Sequence, residues 1–445
     1  MIFNVDSLEE LNNLKQISQA ISAEKTASDN TGRLPFKELV KRIGPGIVLT
    51  GVVIGPGAIT TASMLGSKYG YALLWLLIPI AFMGTSFMLS TYRISLLTGM
   101  PAIHAIRHYY GKFASGFVGI ASFLACMFFT MGNISGTGAG MNLIFRINWK
   151  IGALIMIGVM IYCYFSRDVY SKVEKGILIC VIGMICSFFA TLFGTGNFSW
   201  GSAGSGLTHW YFPAGSLAMA LAFISTNASI TTGIYGTYLG NEKKWKKSDL
   251  VNGVMLTDSI VHIVCVVLIS GAIMLVGAIV LHPTGKVLST PSQLADMLVP
   301  VLGNAARYIM GIALLAAAFS SLLGNTQRTV VLLNAGFDKP TNLEDKSIRW
   351  GSMIVLVICA VICFSYGGSP VQLIYLSNVA TAVATPVSGL FVCLMIWRKD
   401  INDGVKQPRA LQVCMTISYC FCLILTFSAL TTSIPKFAAS IKALI

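Results

Sequence analysis

Val53-Ile54-Gly55-Pro56-Gly57-Ala58-Ile59-Thr60-Thr61 lies inside an apolar run from about 44 to 67. That run is long enough to cross a bilayer. Gly-Pro-Gly at its middle frees backbone groups that an unbroken helix would satisfy. Hydrocarbon tolerates such groups only where they face protein or a water-filled cavity. A second run, 214–240, carries Ile224-Ser225-Thr226-Asn227-Ala228-Ser229-Ile230-Thr231-Thr232, polar at the corresponding place and ending in the same Ile-Thr-Thr. Paired interruptions five spans apart predict an inverted-repeat transporter with its substrate site at the membrane midplane. The blander reading of the same residues is one kinked helix and one unrelated polar patch.

The rest of the chain agrees with a membrane setting. Of 445 residues, 55% are hydrophobic and 11% charged, and mean hydropathy is +0.74. Soluble domains carry about 25% charged residues, so a soluble enzyme, a nucleic-acid binder and a disordered scaffold are excluded as whole-chain readings. Eleven apolar runs are legible: 44–67, 72–97, 114–144, 151–166, 172–195, 214–240, 251–281, 305–334, 348–366, 370–397 and 410–432. With the N-terminus inside, 23 of the 31 Lys and Arg fall on the inner side and seven on the outer, with Arg328 inside a span. The net charge of +14 is therefore an orientation signal rather than a nucleic-acid patch. Residues 1–42 form a polar cytoplasmic segment without a signal peptide. Leu8, Leu11, Leu14, Ile17 and Ile21 have helical spacing there, which fits a short surface helix or a frayed tail. Residues 433–445 read as a short tail. The 11 cysteines sit in apolar runs without a Cys-x-x-Cys pair and read as core residues.

Several stretches resemble the natural-resistance-associated macrophage protein (Nramp) family of proton-coupled divalent-metal importers. Gly44-Pro45-Gly46, Gly55-Pro56-Gly57 and Lys68-Tyr69-Gly70-Tyr71-Ala72-Leu73-Leu74-Trp75 look like its first span and exit. Leu314-Leu315-Ala316-Ala317-Ala318-Phe319-Ser320-Ser321 looks like its eighth, and Ser377-Asn378 followed by Pro386 keeps the spacing of its tenth. The resemblance implies an all-α membrane protein of the LeuT type with 11 transmembrane helices and a cytoplasmic N-terminus. It would comprise inverted repeats at about 43–195 and 214–397 and an extra helix at 410–432. The departures fall on the metal site. The family's Asp-Pro-Gly-Asn is here Gly55-Pro56-Gly57-Ala58, its Met-Pro-His is Thr226-Asn227-Ala228, and its tenth-span Gln is Asn378.

The site chemistry follows from what is left. Of 17 acidic residues only Asp258 lies inside a span. A desolvated dication held by hydroxyls and carbonyls alone would carry a large uncompensated charge. A largely hydrated Mg²⁺ keeps its waters and escapes that objection. Half-helices beginning near Ala58 and Ser229 would present free N–H groups and positive dipole ends. Gly55, Pro56, Gly57, Ala58, Thr60, Thr61, Ser225, Thr226, Asn227, Ser229 and Asn378 are the expected substrate-binding residues. They point to a small organic acid or zwitterion, though the same hydroxyls could simply satisfy broken backbone. A divalent-cation importer of the Mg²⁺ or Mn²⁺ type is the alternative.

For coupling, Asp258 and His262 share a helix face at i, i+4. They read equally as a proton carrier or as a helix-end cap with a hydrogen-bonded histidine. Asn133 and Arg328 are further intramembrane candidates, Arg328 also reading as a side chain that snorkels to the interface. A Na⁺ site including Ser320 and Ser321 is a second coupling route. No cofactor, no resident metal site and no enzyme motif is expected. The partners are the lipid bilayer, a small-molecule or ion substrate, and H⁺ or Na⁺, with a monomer in the cell membrane as the default. A membrane sensor on the same scaffold is the rival class, disfavoured by the short tail after the last span.

Overall fold

Pro56 makes the first break. A proline has no N–H and its ring strikes the carbonyl four residues earlier. The helix α2 (Pro45–Val53) therefore ends, and α3 (Pro56–Tyr69) begins with the proline in its first turn and its axis turned by 57°. Between them Ile54 (φ −79°, ψ 71°) forms an inverse γ-turn, with Gly55 N–H donating to Val53 O at 2.8 Å. The second break is milder. The helix α8 (Leu217–Asn227) gives way at Ala228 and Ser229 to α9 (Ile230–Glu242), and the pair is bent by less than 40°. Both interruptions are narrower than the sequence suggested. Gly57 and Ala58 already belong to α3, and Ser225, Thr226 and Asn227 form the last turn of α8.

The computed structural model describes residues 34–442 apart from 166, 287, 383–384, 403–404 and 407. The helical spacing at Leu8–Ile21 lies outside them. Around the breaks stand α1 (Phe36–Arg42), α4 (Leu77–Thr98), α5 (Ala102–Phe145), α6 (Trp149–Phe165), α7 (Arg167–Gly194), α10 (Val254–Val276), α11 (Ala306–Gly336), α12 (Lys346–Ser365), α13 (Pro370–Thr381), α14 (Thr385–Trp397) and α15 (Arg409–Lys442). Among the described residues eight helices are long and apolar enough to span a membrane, nine with the bent pair. Trp149–Phe165 and Ile179–Gly194 are shorter apolar helices. Two boundaries differ from the sequence reading. The range of α5 starts at Ala102 because a preceding helical segment joins it across a kink at Gly111 (φ 85°), a conformation glycine adopts without penalty. The helix α15 continues beyond residue 432 to Lys442.

The breaks are held by close helix packing. Helices α5 and α11 run antiparallel, backbone against backbone. A Cβ at Gly119 would stand 2.8 Å from Gly336 Cα, and one at Gly140 would stand 2.9 Å from Gly311 O. Small residues allow such approaches in membranes, where packing replaces the hydrophobic drive. Gly119→Leu is expected to force the pair apart at a cost of about 1–3 kcal/mol, read as a lower unfolding midpoint of the detergent-solubilised protein. An unchanged midpoint would show that the contact tolerates a side chain. Outward faces carry Ile354, Val357, Val361 and Leu154, all exposed, with Trp350 and Trp397 flanking them, as lipid contact requires. Asp345 caps α12 by accepting Ser347 N–H at 2.7 Å, and that bonding holds its carboxyl below the ordinary range.

Candidate substrate site and coupling residues

Four helices converge on the first break. From α11, Ser321 Oγ donates to Gly51 O at 3.1 Å, and Asn325 Nδ2 donates to Ser321 O at 2.9 Å. From α5, Asn133 comes to the same point. A Cβ at Gly55 would lie 2.5 Å from Ser321 Oγ and 3.2 Å from Asn133 Oδ1. From α13, Asn378 closes the other side, its amide 2.7 to 2.8 Å from where a Gly57 Cβ would be. The fourth, α8, is tied to Asn378 through Ser225 Oγ, which donates to Asn378 O at 2.8 Å. Asn133, Ser321, Asn325 and Asn378 are all buried, so the site is closed off from solvent.

The expected substrate residues divide into two groups. Thr61 Oγ1 donates to Gly57 O, Thr226 Oγ1 to Ala222 O and Asn227 Nδ2 to Phe223 O, all within their own helices. Asn227 Oδ1 accepts from Ser270. These three serve the backbone and the helix packing, as intramembrane polar groups often do. Thr60 Oγ1, Asn133 Nδ2, Asn325 Oδ1 and Asn378 Nδ2 are buried with no partner. The N–H groups of Gly57 and Ala58 in α3, and of Ile230 and Thr231 in α9, lie in first turns and have no backbone acceptor among the described residues. Pro56 contributes no N–H and instead packs against Gly136. Buried polar groups are nearly always paired, so this cluster of orphan donors and acceptors marks where a ligand completes the hydrogen bonding. Ser321 and Asn325, with Arg328, fall at i, i+4, i+7 on α11, which also carries Ser320, Thr326, Gln327 and Thr329. That spacing was the sequence signal for Asn325, which the sequence reading missed.

Asp258 and His262 lie elsewhere, along α2. Gly44 N–H donates to Asp258 Oδ1 at 2.9 Å, and Gly46 N–H and Tyr92 Oη donate to Oδ2 at 2.8 and 3.1 Å. Asp258 is in the second turn of α10 and caps the start of a different helix, where a negative charge is favoured. One turn on, His262 Nδ1 is 2.8 Å from Thr50 Oγ1 and 3.2 Å from Gly46 O. Both residues fasten α2 to α10, and none of these bonds reaches the break. Asp258 thus caps the start of α2 and not the end of its own helix.

Arg328 does not reach for the interface. It is 1% exposed, with Nε donating to Cys126 Sγ at 3.0 Å, Nη1 to Thr232 Oγ1 at 3.4 Å and Nη2 to Thr231 Oγ1. Ser320 is partly buried near Gly51. Among the described residues no group of three or more His, Cys, Asp and Glu is arranged to hold a metal ion, and the cysteines are free.

The chain and its fold resemble known proteins. A divalent metal cation transporter, MntH, of Brucella suis is 24% identical over 400 residues, covering 86% of each chain. The fold matches the manganese transporter of Eremococcus coleocola with a TM-score of 0.72 at 16% identity, over 92% of this chain and 90% of that one. It also matches MhsT in complex with L-phenylalanine with a TM-score of 0.57 at 17% identity, over 87% and 98%. The fold is therefore of the LeuT type, and the Brucella suis and Eremococcus coleocola proteins are transporters rather than enzymes. Residues 46–432 match the family described as natural resistance-associated macrophage protein-like. The chain is a multi-pass membrane transporter that belongs to the Nramp family.

Proposed function

We propose that this Nramp-family transporter carries a small polar organic solute, an acid or a zwitterion, by alternating access at the α2/α3 and α8/α9 breaks. One observation carries the reading: the groups nearest Gly55 and Gly57 are a hydroxyl and two carboxamides, and both carboxamide nitrogens, with Thr60 Oγ1 and Asn325 Oδ1, are buried without partners. Unpaired donors and acceptors in one place suit a ligand bearing both. Thr60, Asn133, Asn325 and Asn378 would make the side-chain contacts, with the first-turn N–H groups of α3 and α9 receiving a carboxylate. Repeats at about 43–195 and 214–397 would rock about the site with the N-terminus inside. Uptake would be driven by H⁺, with a Na⁺ site at Ser320 and Ser321 as the other route. The second reading, a divalent cation carried with much of its water, is favoured by the similarity to the Brucella suis divalent metal cation transporter.

Proteoliposome flux separates the two. Radiolabelled amino acids, hydroxy acids and dicarboxylates, with Mn²⁺ and Mg²⁺ in parallel, would be offered with and without an inward proton gradient. Saturable uptake of an organic solute that Asn378→Ala reduces at least about tenfold, the worth of one lost hydrogen bond of about 1.4 kcal/mol, is the expected result. Saturable Mn²⁺ uptake with the same dependence on Asn378, and no organic flux, would overturn it.

A further inference from the structure

Arg328 is the largest fully buried side chain of the described residues, and what surrounds it is neutral. Its Nη1 and Nη2 donate to two threonine hydroxyls and its Nε to a thiol, and the guanidinium carbon lies 5.5 Å from the centre of the Phe129 ring. No carboxylate among the described residues pairs with it. Of the other buried charges, Asp249 has Arg42, Asp258 has two N–H groups and a tyrosine, and Arg93, near the chain's inner loops, donates to Asn402 Oδ1 and Lys406 O. An uncompensated charge in a low-dielectric interior is costly, and hydroxyls and a ring offset only part of that.

The contacts of Arg328 locate it next to the second break. Thr231 and Thr232 lie in the first turn of α9, and Thr231 Oγ1 is 2.8 Å from Ser229 Oγ in the break itself. A line of polar groups therefore runs from the guanidinium through Thr231 to Ser229. The same turn presents the N–H groups of Ile230 and Thr231 without a backbone acceptor. Two independent sources of positive potential, a guanidinium and a helix start, meet with no anion between them. A guanidinium has five N–H donors in a fork suited to a carboxylate, and three are spent.

We propose that Arg328 and the first turn of α9 form a binding site for a small monovalent anion, either the carboxylate of the transported solute or a free halide. The carboxylate case rests on the reading of the breaks as an organic-solute site. The guanidinium supplies the charge, the helix start supplies N–H donors, and Thr231 and Thr232 fix the fork. Arg328 thereby sets the sign of charge that the site accepts, disfavouring a bare dication next to α9.

The test measures binding without transport. Unfolding midpoints of the full-length protein in detergent would be followed while sodium acetate or sodium chloride replaces sodium sulfate at constant ionic strength. The wild type is expected to show a saturable rise, Arg328→Gln none, and Arg328→Lys a roughly tenfold weaker apparent affinity, because an ammonium lacks the fork. Acetate acting without chloride would identify the solute's carboxylate, and chloride acting equally well would identify a halide site. A wild-type crystal soaked in bromide, with an anomalous peak against the guanidinium, supports the site even if Arg328→Gln fails to accumulate. No saturable rise in the wild type, or an equal rise in Arg328→Gln, overturns the proposal. Organic uptake that survives Arg328→Gln overturns the carboxylate case at this site and leaves the transport reading standing. Anion binding in a protein that carries only Mn²⁺ overturns the transport reading instead.

Discussion

Gly55→Asp is expected to yield a protein that accumulates poorly, while Gly55→Asp combined with Ser321→Gly accumulates and acquires Mn²⁺ binding. The backbone at Gly55 (φ −110°, ψ −169°) is open to any residue, so the obstacle is space. Its Cβ would stand 2.5 Å from Ser321 Oγ and 2.9 Å from Ser321 Cβ. Neither atom can swing away as the end of a long flexible side chain could. Overpacking of this kind costs about 1–3 kcal/mol. A carboxylate introduced without a cation adds several kcal/mol of desolvation, on the order of the penalty for one buried ion. Removing the Ser321 side chain relieves the first cost, and a divalent cation relieves the second. Mn²⁺ at 100 times its dissociation constant would stabilise the double variant by about 2.7 kcal/mol, visible as a rise in unfolding midpoint that the wild type lacks. If the single variant folds normally and carries Mn²⁺, then Ser321 does not exclude a side chain at this position, and glycine here is not coupled to the serine on α11.

The break in the first span was legible in the residues themselves. Gly-Pro-Gly inside an apolar span forces a break for reasons of covalent geometry, and the structure has it within two residues of the expected place. The second break was placed by its polar side chains, and this was the weaker inference. Ser225, Thr226 and Asn227 bond back to their own helix or across to α10 and α13, so the chain opens only at Ala228. Side-chain polarity alone does not say whether a hydroxyl serves the backbone or a ligand, because that depends on the helix packed against it. The same limit applies to Arg328. An arginine about two turns from a span's end has the length to snorkel, and it is the hydroxyls of α9 that keep it inside. Asn325 was hidden for the opposite reason: its partners, Val52 O and Ser321 O, are backbone carbonyls that no residue identity announces.

Asp258→Ala is expected to cost about 3 kcal/mol of stability and to loosen the start of α2. The carboxylate accepts from Gly44 N–H, Gly46 N–H and Tyr92 Oη, and it is buried. Each buried N–H left unpaired costs about 1–3 kcal/mol, and the favourable interaction with the helix start is lost as well. A side chain at Gly46 would also collide with Asp258, its Cβ 2.8 Å from Oδ2, so the two residues fit only as a pair. Asp258→Asn separates capping from proton carriage. Asparagine has one acceptor oxygen, and its NH₂ would face a backbone N–H, donor against donor. If Asp258 is a cap, this variant loses about 2 kcal/mol, one unpaired buried donor, and amide exchange at Gly44 and Gly46 accelerates. If its role is only to carry a proton, the midpoint and exchange stay at wild-type values while proton-driven uptake fails. Tyr92→Phe sharpens the distinction, since it removes one donor to the carboxylate and leaves both backbone bonds in place. A cap should tolerate that loss with a change near 1 kcal/mol and intact protection at Gly44. Because α2 forms one wall of the break, a start that frays would also let the site open without substrate. Flux through the Asp258→Ala variant should then lose its dependence on the proton gradient before it loses its saturability.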